Sequence, residues 1–371
     1  LSLYIKTVES KKDWKTFLEL PRAIYKNNKY WVPPLLSEVR ETLDTYRNPF
    51  WQHAERKIFI ALQDNTPAGR IVAVVDKNHN DFHNEKTGFF GFFECMNDHE
   101  VAAHLWDEAK NWLKGHGMTI MRGPVSPSMN DENAFLLDGF DKPPSVMMPY
   151  THQYYLELAE QYGFKKAKDL LSFIKYAKDG IPPRIEKMVS RIKARTNVKI
   201  RHFSMKDLER DIQYLKDIYN NAWKINWGFV PMTDAEIDVV GKKLKKFVEP
   251  ELVLFAEIDD RPVAVTVTVP DINQVLRKLG GRLGPIEILK FLYYKKKING
   301  VRSLIGGVIE EYRETGIIAV LYYETEKANL RLGYEWCELG WNLEDNVLIN
   351  RFDEAIGGKL YKKYRIYEIA I

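Results

Sequence analysis

Residues 303–333, SLIGGVIEEYRETGIIAVLYYETEKANLRLG, constrain the fold more than any other stretch of the chain. The apolar run over 304–309 is too short for most helices and long enough for a buried strand. After Glu310-Glu311-Tyr312-Arg313-Glu314-Thr315-Gly316 the apolar spacing changes. Ile317, Val320, Leu321, Thr325, Ala328 and Leu332 then recur at three- and four-residue steps, which is the period of a helix. Gly333 suits the left-handed cap that ends one. The spacing therefore predicts a strand, a tight turn and a helix. Free N–H groups and the helix dipole at the start of that helix favour an anion such as a pyrophosphate.

The neighbouring elements come in one order, twice. Residues 3–8 predict a strand, followed by a helix from Lys11 with Ser10 as its cap. Residues 57–62 and 69–76 form a hairpin, with turn signals between them. GFFGFFE at 88–94 is a strand, and 99–114 is a helix with Val101, Ala102, Leu105, Ala109, Trp112 and Leu113 inward. A strand at 119–122, a helix at 154–162 and a strand at 170–176 close the first half. Residues 179–197, with Pro182-Pro183 and alternating charge, read as a linker carrying a surface helix. The second half, 198–371, repeats the order: strand, helices, a hairpin around Asp259-Asp260, then the strand–turn–helix, a strand, a helix and a strand. Its insertion at 270–302 carries Gly280-Gly281 and the lysine run 295–297. The expected class is α+β (mixed α/β), with each half a mixed, mostly antiparallel twisted sheet flanked by helices. The expected domains are 1–178 and 198–371.

The 371 residues include 55 basic and 51 acidic ones, a formal net charge of +4, which leaves no electrostatic footprint for DNA. Cys95 and Cys337 stand far apart and form neither a disulfide framework nor a metal motif, so no metal is expected. No run reaches the ~18 apolar residues that cross a bilayer, and no signal-like stretch opens the chain. A cytoplasmic protein without a membrane span is the expectation.

Arg313-x-x-Gly316-x-Ile318 resembles the Arg/Gln-x-x-Gly-x-Gly/Ala loop of the GNAT acyltransferase superfamily, with Ile318 where a small residue is usual. Asn346, eleven residues before Gly357, is similar to that family's Asn…Gly-Phe segment. The resemblance covers both halves and implies two tandem GNAT-like domains. It implies acetyl-CoA or another acyl-CoA as co-substrate in the second half, held by Val308, Ile309, Arg313, Glu314, Thr315, Gly316, Ile317 and Ile318 with Asn346 and Asn350. In the first half Cys95-Met96-Asn97-Asp98 stands in the same place. A carboxylate there repels phosphate and no glycine lets the backbone approach, so a CoA site is not expected in that half.

The implied reaction is N-acyl transfer by direct attack of an amine on the thioester, with a small-molecule or peptide amine as acceptor. Glu310, Glu311 and Glu338 are the candidate bases, and on a strand Glu310 and Glu311 would face opposite sides. The family often uses a Tyr as acid seven residues after the helix Asn. Asp353 occupies that place, which leaves Tyr361 or Tyr364 as stand-ins. Trp223, Trp227 and Phe229 read either as an acceptor pocket or as packing of the first helices. Two other functions fit the pattern: a non-catalytic GNAT-fold binding or scaffold protein, and an aminoacyl-tRNA-dependent transferase.

Overall fold

Short-range chemistry starts most of the elements. Ser10 Oγ accepts the Asp13 N–H at 3.1 Å and the Asp13 carboxylate accepts the Ser10 N–H at 3.1 Å, a reciprocal cap on the first helix. Asp64-Asn65 and Asp259-Asp260 take positive φ and turn the two hairpins. The computed structural model describes residues 2–371, the side chains at 240 and 242–247 aside. The chain divides into unit 1 (Leu1–Leu170, Val275–Tyr293, Lys362–Ile371) and unit 2 (Leu171–Gln274, Tyr294–Tyr361).

In chain order, unit 1 begins with β1 (Leu3–Thr7), α1 (Lys11–Ile24), α2 (Leu36–Thr42), β2 (Ala54–Gln63), β3 (Thr66–Asp76) and α3 (Lys77–His83). It continues with β4 (Thr87–Cys95), α4 (His99–Gly115), β5 (Ile120–Gly123), β6 (Val125–Ser126), β7 (Glu132–Asn133), β8 (Phe135–Asp138) and α5 (Tyr154–Tyr162). β9 (Lys165–Tyr176) carries the boundary between units. Then come α6 (Pro183–Thr196), β10 (Lys199–His202), α7 (Leu208–Ala222), α8 (Asp234–Phe247), β11 (Val253–Ile258) and β12 (Arg261–Pro270). The chain ends with α9 (Asn273–Leu279), α10 (Pro285–Lys295), β13 (Gly300–Val308), α11 (Ile317–Leu332), β14 (Trp336–Leu343), α12 (Val347–Ala355) and β15 (Lys359–Ala370).

Each unit has a mixed sheet in which a parallel pair follows an antiparallel run. In unit 1, β1, β2, β3 and β4 pair antiparallel, and β4 pairs β5 in parallel across α4. Tyr367–Ala370 of β15 then pairs β5 antiparallel. In unit 2, β10, β11, β12 and β13 pair antiparallel, and β13 pairs β14 in parallel across α11. This is the expected α+β class.

The unit 1 core forms where α4 lies on the sheet. Trp106, fully buried, stacks on Phe93 at 4.6 Å with Phe90 and Phe164 around it. Trp112, expected inward, is only half-buried; Trp106 shares the 102, 105, 109, 113 face at helical spacing and takes the interior. Trp106→Ala is expected to cost about 3–5 kcal/mol, read by denaturant melts followed by circular dichroism. A loss below ~1 kcal/mol would place the ring outside the core.

In unit 2, α6 does not run as a solvated surface helix. Ile185, Val189 and Ile192 bury against Ala319 and Val320 of α11. Among the described residues no helix is long and apolar enough to cross a membrane.

Candidate functional site

The site in unit 2 begins where two strands part. β13 and β14 pair only from Gly300–Trp336 to Ser303–Leu339. β13 then continues along β12, with Ile305 opposite Val267 and Val308 opposite Ala264. Among the described residues, no strand follows the other edge of 304–308, so its backbone groups face a wedge. Such an edge can pair with an extended, amide-bearing chain. Glycines let aromatic rings press onto both faces of β13 here. A Cβ at Gly306 would lie 2.6 Å from the Tyr322 hydroxyl, and one at Gly307 would lie 2.2 Å from the Trp223 ring.

The strand ends at Val308, sooner than the apolar run suggested, and Ile309 donates to Val263 O at 2.9 Å. Glu310–Thr315 is a tight 3-10 turn, so Glu310 and Glu311 do not alternate across a strand as expected. Both are exposed: Glu310 pairs with Lys224 at 2.5 Å and Glu311 with Arg261 at 3.1 Å. The Lys224 hydrogen bond holds Glu310 below the usual carboxylate range, which makes it a weak base.

Gly316 then takes φ +80°, a conformation costly for a residue with a Cβ, and α11 starts at Ile317 with no cap from Gly316 itself, the Ile317 N–H reaching Thr315 Oγ1 at a long 3.4 Å. Two neighbours clamp this turn. Arg313 donates to Ala222 O at 3.0 Å, and Arg195 of α6 donates to Thr315 O at 2.9 Å. Arg313 thus holds the protein's own backbone, while Gly316 and Ile318 stand at the uncapped helix start; Glu314 is exposed. Asn346 caps α12 through the Ile349 N–H, and Asn350 holds Leu343 O at 3.0 Å, so both shape the turn after β14.

Asp353 of α12, set aside in the sequence reading as a missing Tyr, is a buried carboxyl. Asn342 Nδ2 donates to its Oδ2 at 2.7 Å, and its Oδ1 is buried with no hydrogen-bond partner. Burial pushes its pKa up to about 7, against a smaller lowering by Asn342. Its charge acts on the buried Tyr322 hydroxyl, which burial first and Asp353 second push upward. A cavity of about 30 Å³, room for roughly one water, lies beside Tyr322, between it and Ser303, Cys337 and Leu339. The Cys337 thiol is pushed up by burial and is no nucleophile.

Glu338, next along β14, points to the opposite face from Cys337 and Leu339. It is fully buried and accepts the Ser172 hydroxyl at 2.5 Å. Tyr361 is half-buried in β15. Trp223 stacks on Tyr219 at 4.9 Å, Phe229 is buried beside the same ring, and Trp227 is half-buried. Trp223 reaches the wedge strand at Gly307.

The matching place in unit 1 is filled by the chain itself. β4 and β5 pair from Thr87–Ile120 to Phe89–Arg122 and then part. A Cβ at Gly91 would lie 1.8 Å from Val125 O, and the Phe92 N–H donates to Ser126 Oγ at 2.9 Å, so β6 occupies the gap. The Asp98 carboxylate accepts the Glu100 and Val101 N–H groups at 2.9 and 3.2 Å and uses up the start of α4. A half-buried Glu94, its pKa raised by desolvation, accepts the Tyr155 hydroxyl at 2.7 Å. Sequence reading missed this group, because GFFGFFE carries no sign that its last residue bonds a buried tyrosine.

A parallel strand pair that splays after an enclosed helix, twice in one chain, is the tandem GNAT fold. A solved tandem GNAT protein from the clavulanic acid biosynthesis pathway superposes with TM-score 0.59 at 11% identity, over 100% of this chain and 98% of that one. A GCN5-related N-acetyltransferase from Sphaerobacter thermophilus gives 0.54 at 14%, over 99% and 95%. No family model matches the chain. Two curated proteins match it over their length. Protein YghO of Escherichia coli (strain K12) is 34% identical over 98% of this chain and 94% of its own. The bacterial ceramide synthase of Caulobacter vibrioides (strain NA1000 / CB15N) is 32% identical over 98% and 96%. The chain belongs to the family of these two proteins.

Proposed function

We propose that this protein is an acyl-CoA-dependent N-acyltransferase with its donor site in unit 2, and that its acceptor is the amine of a long-chain amino alcohol, giving a ceramide-type amide. The observation that carries the donor assignment is the open β13–β14 wedge ending at an uncapped helix, against a closed wedge and a capped helix in unit 1. The acceptor class rests on the relative named as a bacterial ceramide synthase.

The pantetheine amides of the donor pair with the free edge of residues 304–308, and its pyrophosphate meets the N–H groups around Gly316, Ile317 and Ile318. The acceptor amine, entering neutral, attacks the thioester carbon and gives up one N–H proton to Glu338. The C–N bond forms and the C–S bond breaks as the tetrahedral intermediate collapses. Asp353, protonated below about pH 7, gives its proton to the leaving thiolate, the part that the family's Tyr plays.

The test combines the purified chain with acyl-CoAs of rising chain length and a long-chain amino alcohol, following free thiol and amide mass. Thiol release that requires both substrates, with a matching amide, is expected. Acyl-CoA binding without turnover on any amine would leave a binding protein instead. Absence of acyl-CoA binding would remove the donor assignment altogether.

A further inference from the structure

α10 breaks the usual rule for a surface helix. Its sequence, PIEILKFLYYK, is mostly apolar, yet none of its residues is buried. At about 100° per residue, Ile286, Ile288, Leu289, Leu292 and Tyr293 share one arc roughly 160° wide, and Glu287, Phe291 and Tyr294 share the other. The polar-containing arc is the half-buried one. The apolar arc faces out, with these five side chains 51–69% exposed and Leu283 just before them 50% exposed. Soluble surfaces rarely present so continuous an apolar strip without a partner.

Charge says which partner. Arg282, Lys290, Lys295, Lys296 and Lys297 are all exposed, and Glu287 is the single acidic residue from 282 to 297. Five basic residues against one acidic make this short segment as positive as the entire chain, whose formal charge is +4. Lys290 and Lys295 stand at the two edges of the apolar arc, where long side chains can lie along a hydrocarbon boundary and keep their ammonium groups in water. The 11 residues of α10 rise only ~16 Å, about half of a bilayer's hydrocarbon core, so the helix cannot cross. A helix of this kind lies in the plane of the membrane surface.

We propose that α10 is a membrane-docking helix that seats its Ile286–Leu289–Tyr293 face among the acyl chains of an anionic phospholipid bilayer, with the flanking lysines on the phosphate headgroups. The docking stands on this face alone. Only its corollary rests on the transferase reading: a long-chain amine would then reach unit 2 from the bilayer rather than from free solution.

Flotation of the full chain with vesicles of equimolar phosphatidylcholine and phosphatidylglycerol tests it, against vesicles of phosphatidylcholine alone. Wild type is expected to float with the anionic vesicles and to be released by high salt. Leu289→Ser with Leu292→Ser is expected to weaken partitioning by ~100-fold or more. Lys295→Glu with Lys296→Glu is expected to weaken it by roughly tenfold and to flatten the salt dependence. These positions are exposed, so melting curves and acyl-CoA affinity by calorimetry should match wild type in both variants. Failure of wild type to float, or equal flotation of the serine variant, would overturn the proposal. A lipid-free dimer that the serine variant dissolves would assign the face to a second copy and overturn it too. Flotation without any acyl transfer would sink the transferase reading and leave the docking intact.

Discussion

Asp353→Asn is expected to slow acyl transfer by about 10²–10⁴-fold while making the protein more stable at alkaline pH. Both effects come from one buried carboxyl. In the folded chain its pKa is pushed up to about 7, against an ordinary value of 3.8, because burial disfavours the charged form. The folded state therefore binds the proton more tightly than the unfolded state. Below the ordinary value both states are protonated and the group has no effect. As pH rises from about 4 through about 7 the unfolded chain releases its proton first, and folding stability falls by several kcal/mol across that window. Asparagine carries no such proton and can still accept from Asn342.

Denaturant melts of wild type and Asp353→Asn should thus agree near pH 4 and diverge by several kcal/mol near pH 8, with the variant the more stable. The rate should show the matching limb. Wild-type transfer declines as pH rises through about 7 and the acid is lost, and the variant's low rate lacks that decline. A stability difference that does not change with pH would mean the carboxyl titrates as an exposed one does. Full activity in the variant would remove Asp353 from the reaction.

Ile318→Glu is expected to abolish acyl-CoA binding without weakening the fold. Ile318 is half-buried at the second position of α11, the end that the helix dipole makes positive. A carboxylate in the first turn is favourable to the helix by about 0.3–1 kcal/mol. To a bound pyrophosphate it is a like charge. At ~5 Å and an effective dielectric constant of ~20, each pair of unit charges repels by about 3 kcal/mol, more than a hundredfold in affinity. Ile318→Gln, similar in size and neutral, should bind far better than the glutamate variant. Calorimetry with acyl-CoA reads the difference, and equal binding by both variants would move the pyrophosphate elsewhere.

Gly316 and Arg313 are poorer probes of the same site. A Cβ at Gly316 meets Ile192 at 2.8 Å in a left-handed conformation, and Arg313 is the latch on Ala222, so changes at either disturb the turn itself.

What could be read from residues alone was whatever neighbours in sequence decide. Asp98 and Ser10 cap helices through N–H groups two or three positions away, and Asp259-Asp260 turns its hairpin by its own φ angles. The strand, turn and helix from 303 to 333 were legible because hydrophobic period and glycine placement act within a few residues. Their order, repeated in both halves, carried the fold class with it.

The tertiary structure decided which of these features are available for chemistry. Asp353 looks like any carboxylate in sequence; its raised pKa comes from burial in the fold, which outweighs the lowering by the hydrogen bond from Asn342 on β14. Both halves read as the same order of elements, but only packing shows Val125 filling the wedge of one while, among the described residues, no strand pairs with the 304–308 edge of the other. The apolar residues of α10 would be taken for core by their composition, and packing leaves them outside. Caps and turns are set by hydrogen bonds a few residues long. Burial, and with it charge state and access, is a sum over the whole fold, and no single stretch of chain contains that sum.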